Sequence, residues 1–326
     1  MSTRRALFLR LGPIAAAALM SVGAASIEYR IVQLRLPSSY YSLAITGNEQ
    51  GDYAAGMQRT VWEDRFVFQT LGGPPRLSLP EARISALGDG GKLVGNSAKG
   101  GWEYTRDFGL KMLPYRGNRP SAYARGVNGA GIVVGSMGSR PCLWVEGSII
   151  PLGPRPQGPS WGADINEDNI VVGSDGDGHF ERAWYWDGEY HELGGYWGTA
   201  LNNTGQILLN EKVGYDTFGY LYESGKYTRL YSPFRELIFT LATDLNDSGW
   251  VVGCAYNPWV SDEYRALVWP ATPKGLETTG IDLNDLIPAD ADWHLDRAST
   301  ITRSGTIYGT GTYRGRLAAF KLILVE

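Results

Sequence analysis

The sequence predicts an all-β fold: a seven-bladed β-propeller of four-stranded blades, its last blade closed by the N-terminal strand. Three observations predict it. A hairpin phrase recurs seven times, each copy is followed by two further strand-like runs, and the final copy lacks a strand that the N-terminal segment can supply.

The phrase is an apolar residue, a turn ending in Gly or Asn, and an apolar run that usually closes on Gly. It is clearest at 127–135, 165–173 and 245–253, weaker from Leu87, Leu201 and Ile301, and carries two extra residues in the first copy, 45–56. An Asn opening such a turn hydrogen-bonds its own backbone. The closing turn residue takes φ > 0, which Gly or Asn tolerates. Those positions are Gly51, Gly91, Gly131, Asn169, Gly205, Gly249 and Gly305. The β-branched run that follows suits a buried second strand.

Downstream come a third strand with an aromatic end, a turn, and a fourth strand. Cys142-Leu143-Trp144 leads to Ile149-Ile150-Pro151-Leu152, and Ala183-Trp184-Tyr185-Trp186 leads to Tyr190-His191-Glu192-Leu193. Tyr220-Leu221-Tyr222 leads likewise to Tyr227-Thr228-Arg229-Leu230. The turn positions are spaced by 40, 40, 38, 36, 44 and 56 residues from Gly51 onward. Four strands in about 40 to 45 residues is the length of a propeller blade. No helical period survives in 27–326, and no helix is expected. The last unit supplies strands near 298–302, 306–310 and 317–325 only. Residues 28–34 form an orphan strand expected to complete it and remove the open edges. An open stack or two packed sheets is the alternative.

Composition agrees. Gly is 43 of 326 residues, about 13% against a usual share of roughly 7%, and turn ends and strand closers account for most of the surplus. The formal charge of −4 gives no basic footprint for nucleic acid. Three His and two Cys leave no room for a disulfide scaffold or a four-Cys zinc site. Cys142 and Cys254 fall in non-adjacent units and are expected as separate buried thiols. No cofactor is implied.

Arg4, Arg5 and Arg10 precede an apolar, Ala-rich stretch and then Gly23, Ala24, Ala25 and Ser26. That is the order of a secretory signal peptide, 1–25, cleaved near Ala25. The stretch is too short, and too rich in Gly and Ala, for a stable membrane span. Residues 26–326 then form a single domain, monomeric and secreted to the periplasm or the cell exterior.

The units resemble those of the HAF-repeat family of extracellular repeat proteins. That family's third strand runs His/Arg-Ala-Phe and ends in Trp; here it reads Arg182-Ala183-Trp184-Tyr185-Trp186 and Arg265-Ala266-Leu267-Val268-Trp269. Ala319-Phe320 keeps the Ala-Phe pair, and no unit has His in front of it. The most specific match is Asp282-Leu283-Asn284-Asp285-Leu286-Ile287-Pro288 followed by Trp293, Leu295, Ala298, Ile301, Gly305 and Gly309. The resemblance implies a bacterial, exported protein and brings no established activity.

The sharpest candidate site is a ring position four residues before the repeated apolar residue: Tyr41, Arg83, Tyr123, Trp161, Trp197, Leu241 and Arg297. At a channel mouth, aromatic planes with Arg can stack sugars or hold an anion. The opposing reading is packing between blades, because four residues along a straight strand returns to the same face. Small residues follow at Ser42, Ala124, Gly162, Gly198, Ala242 and Ala298, as crowded inner strands require.

Asp175 and Asp177, with Glu181 nearby, resemble a fragment of a calcium loop, but no acid stands at the twelfth position. A Gly-rich loop is the better reading, and no metal is expected. The acids of 164–169 and 244–247 are read as turn residues. His179, His191 and His294 sit in no nucleophile or metalloprotease motif. The insertion 270–296 is read equally as a functional loop or as a linker packing Leu286 and Trp293. The function expected is therefore non-catalytic binding, of a glycan or a cell-surface protein. A carbohydrate-active propeller enzyme, hydrolase or lyase, and a purely architectural module are the alternatives.

Overall fold

Strand formation follows the hairpin phrase throughout. The structure, a computed structural model, describes residues 27–36, 42–60, 63–69, 77–80, 82–117, 121–153, 158–176, 181–214 and 216–325. They form seven four-stranded antiparallel sheets and one two-stranded ribbon. The first sheet is Ser42–Gly47, Tyr53–Thr60, Glu63–Gln69 and Leu77–Pro80, and the second is Ala82–Leu87, Leu93–Ser97, Gly100–Thr105 and Gly109–Met112. The third is Ala122–Val127, Val133–Met137, Arg140–Val145 and Ser148–Pro151, and the fourth is Ser160–Ile165, Val171–Gly176, Glu181–Trp186 and Tyr190–Gly194. The fifth is Trp197–Leu201, Ile207–Val213, Asp216–Glu223 and Lys226–Arg229, and the sixth is Phe239–Leu245, Val251–Tyr256, Tyr264–Trp269 and Ile281–Asp282.

The last sheet takes Trp293–Ile301, Ile307–Tyr313 and Arg316–Leu324 from the C-terminal end of the chain. Its fourth strand is Tyr29–Gln33, paired antiparallel from Tyr29 opposite Leu324 to Gln33 opposite Phe320. The orphan N-terminal strand thus closes the C-terminal sheet. Apolar residues cluster in the gaps between neighbouring sheets rather than in one core. One cluster joins Val134 of the third sheet to Ile165 and Val171 of the fourth, and another joins Tyr308 and Ala319 of the last sheet to Ile45 and Ala55 of the first. The sheets therefore follow one another around a ring.

Each predicted turn position has φ > 0, from 63° at Asn169 to 85° at Gly205. The opening Asn of a turn also joins the sheets. Asn166 accepts from its own Ile170 N–H (2.9 Å) and donates to the Asn202 carbonyl of the next sheet (3.1 Å). Asn48, Asn128, Asn202 and Asn246 repeat this bond to the next turn. The acids beside them serve the same joints, Glu167 accepting from Gly129 N–H (2.7 Å) and Asp247 from Asn203 N–H (2.9 Å).

The closing Gly of the second strand has a different cause. A Cβ at Gly173 would overlap both the Trp161 carbonyl oxygen and the Trp184 indole. Neither backbone nor a buried indole yields easily, so Gly173→Ala is expected to destabilise by about 1–3 kcal/mol or more. A urea midpoint equal to that of the unaltered protein would contradict this.

The chain departs from expectation in two places. The insertion contains a short 3₁₀ turn, Leu283–Leu286, where no helix was expected, because Asp282 caps it by accepting from Asn284 N–H (2.9 Å). Leu286 and Trp293 pack against the cluster between the sixth and last sheets, as the linker reading holds. The second departure is a β-bulge in the innermost strand of six sheets. It places one extra residue between the ring position and the repeated apolar residue. The two therefore lie on opposite faces, and the shared strand parity assumed from the sequence does not hold. Trp161 pairs with Ser174 whereas Ile165 pairs with Val171, three residues away.

Candidate functional site

Two mouths of the ring differ in chemistry, and strand direction sets the difference. Each innermost strand starts at the mouth bearing the ring position and ends at the mouth bearing the Asn turns. At the turn mouth the polar side chains bond to one another and to backbone, as described above.

At the opposite mouth a cleft of about 510 Å³ opens between the innermost strands of the second to fifth sheets. Trp161 and Trp197 line it from adjacent sheets, together with Arg125, Glu181, Ser85 and Thr199. Both indoles are half-buried. Their placement follows from the bulge, which frees Trp161 from the face that Ile165 buries against the third sheet. Ser174, opposite Trp161, accepts from the Gly198 N–H beside Trp197 (2.9 Å) and so ties the two ring positions together.

The other ring residues are dispersed. Tyr123 is 48% exposed and lies outside this cleft. Arg83 and Arg297 are exposed, and Leu241 is half-buried. The Arg297 guanidinium lies 4.0 Å from the centroid of the Tyr264 ring, which itself stacks on Tyr256. Tyr41 lies outside the described residues.

Two cleft residues were not joined to this site by the sequence reading. Arg125 is the bulge residue of its strand. In the same column stand Ser85, Ala163, Thr199, Thr243 and Ser299, all small or hydroxylated. Ser85 and Thr243 use their hydroxyls to hold the carbonyls of Ala124 and Ala298 in the next sheet (2.9 and 2.8 Å). Arg125 is the outlier in that column, a signal present in the sequence once the bulge is known. Its guanidinium lies over the Trp161 ring at 5.1 Å. Surrounding protein desolvates it and lowers its pKa, against the pull of Glu181. Glu181 is the second. Burial raises its carboxyl pKa, and Lys212 and Arg125 oppose that rise.

The acidic loop has a local explanation. Asp175 accepts from the Trp184 indole N–H (3.1 Å), while Asp177 and His179 lie outside the described residues. Among the described residues no group of three or more His, Cys, Asp or Glu is placed to hold a metal ion. His191 bonds Asp187 (2.9 Å) and stacks on Tyr185, and His294 pairs with Asp296 (3.2 Å). Cys142 and Cys254 are free and buried, and burial pushes their thiols up to about 12 and about 11.

No family model and no curated protein matches the chain. Solved structures do. The β-propeller domain of the Trilobed protease from Pyrococcus furiosus superposes with a TM-score of 0.55 at 11% identity, over 88% of this chain and 98% of that one. The β-propeller domain of Myceliophteria thermophila Cps50 (Swd1) gives 0.53 at 12%, over 90% and 99%. The chain is a β-propeller. U3-55K is also similar, with a TM-score of 0.57 at 11% identity over 90% of the propeller and 98% of its own chain. At such identities the likeness concerns the fold alone. Among the propeller's described residues, no helix is long and apolar enough to cross a membrane.

Proposed function

We propose that the protein is a non-catalytic binding module that takes a saccharide in the cleft at the ring-position mouth. The observation that carries this reading is the meeting of Trp161 and Trp197, from adjacent blades, with Arg125 and Glu181 in one cleft. Indole faces supply the flat apolar surface on which sugar rings stack, and polar groups at the edge fix orientation. The rest of the reading is a closed ring of seven blades, of HAF-repeat type, exported by a bacterium after loss of residues 1–25. Its ligand is then a glycan outside the cell or on its surface. Glycoside cleavage ordinarily uses two carboxyls flanking one bond. The described lining of the cleft offers one, Glu181, which favours binding over hydrolysis.

The test is a glycan screen on the mature protein, repeated with Trp161→Ala and Trp197→Ala. Stacking of this kind is worth about 0.5–1.5 kcal/mol beyond the area buried. Each substitution is therefore expected to weaken a detected glycan by at least about twofold, and by more as apolar area is lost, with the melting temperature little changed. Undiminished binding by both variants would remove the site.

A further inference from the structure

Within the cleft, one cation has no ion-pair partner among the described residues. Arg125 stands where other blades place a small or hydroxylated residue, and the clamp made by Ser85 and Thr243 is absent there. Among the described residues no carboxylate lies within ion-pair distance of its guanidinium, which lies over the Trp161 ring. The residue is exposed and lines the cleft. A guanidinium stacked on an indole keeps its N–H edge free for an oxyanion. Arg125 also draws on Glu181 electrostatically, from beyond ion-pair distance.

We infer that the saccharide is acidic, its anionic group pairing with Arg125 while its rings stack on Trp161 and Trp197. This rests on the saccharide reading above and narrows it to one class, sugars bearing carboxylate or sulfate. Thr199, which accepts from Asn210 Nδ2 (2.8 Å), keeps its own O–H to donate to a sugar hydroxyl at the cleft edge.

The experiment measures binding of three oligosaccharides of equal length to the mature protein. One is oligogalacturonate, one is a sulfated galactan fragment, and one is an uncharged galactan fragment. At least one acidic ligand is expected to bind tenfold or more tighter than the uncharged one, and the better of the two identifies the anion. Added salt is expected to reduce that advantage. Arg125→Gln is expected to abolish it, while Arg125→Lys retains the salt dependence at lower affinity. Melting curves of both variants establish that they are folded. Binding of the uncharged ligand as tightly as the acidic ones, lost in Trp161→Ala, overturns this inference and leaves the saccharide reading standing. An acidic preference unchanged in Arg125→Gln also overturns it. No binding of any of the three overturns both.

Discussion

A chain cut after Leu36 is expected to lose its cooperative fold. The cut removes Tyr29–Gln33, the outer strand of the last blade, and with it the pairing to Phe320–Leu324. Tyr29 is 2% exposed and belongs to the cluster between the sixth and last blades. Deleting one buried aromatic side chain costs about 3–5 kcal/mol, and the lost ladder adds to that. The sum is comparable to the whole stability of a domain, about 5–15 kcal/mol. The uncovered strand edge is also a template for pairing with another chain. The truncated protein should show no sigmoidal thermal transition by circular dichroism and should elute as aggregate. A monomer melting with the unaltered protein would show that closure contributes little.

The second large effect is on pH dependence. Asp164 and Asp244 sit beside the repeated apolar residue in their innermost strands. Asp164 accepts from Leu201 N–H (3.1 Å), and Asp244 from Leu245 and Ile301 N–H (both 2.9 Å). Burial pushes Asp164 up to about 6 and Asp244 up to about 8, against those hydrogen bonds, and the charge on Asp164 raises Asp244 further. A carboxyl whose folded pKa is raised favours folding while protonated. The stability it contributes is fully present below the unfolded value, near 4, and is lost as pH rises through the folded value. Linkage therefore predicts a fall in stability between about pH 4 and pH 8. At about 1.4 kcal/mol per pKa unit, Asp244 alone accounts for several kcal/mol. Asp244→Asn cannot ionise but places an amide against a backbone donor. It should be less stable than the unaltered protein at pH 5, and at least as stable at pH 9. Melting profiles that stay parallel from pH 5 to pH 9 would defeat the argument.

Much of this molecule was legible in its sequence because the determinants are local. A turn residue needing φ > 0 has few solutions, so Gly51 through Gly305 and Asn169 announce themselves. The missing fourth strand was legible from strand counts, since an unpaired edge at one end and an orphan strand at the other invite pairing. The bulge was not legible. It is set by how Ala124 and Gly126 pair across to Gly135 and Val134, leaving Arg125 out of the ladder. Because the bulge reverses facing, it decided which side chains meet in the cleft. Trp161 and Trp197 were singled out for a mouth, but Arg125 and Glu181 were not joined to them. The acids of 164–169 and 244–247 were read as turn residues; Glu167 and Asp247 are, and hold backbone N–H groups of the neighbouring blade, whereas Asp164 and Asp244 stand desolvated in the innermost strands, which end at these turns.

The Asn joints bear on how such a chain can change. Each bond from an Asn runs in one direction, to a main-chain carbonyl in the next blade. A carbonyl is the same in every residue, so this bond reads no side chain of its neighbour, even though Asn128 also donates to Asn169 Oδ1 (3.1 Å) and the acids add side-chain bonds of their own. Blades are thereby interchangeable at this seam: a duplicated or exchanged unit brings its own hook and finds a ready eye. Where the hook itself is lost, other means serve. Gly88 has no side chain, and its backbone lies close against the Asn128 carbonyl. In the last blade Thr302 replaces Asn, and the Tyr308 hydroxyl reaches the Asn48 carbonyl instead (3.4 Å). Copies held together this way are free to drift in their third strands, and one of them was free to exchange a clamp for an arginine.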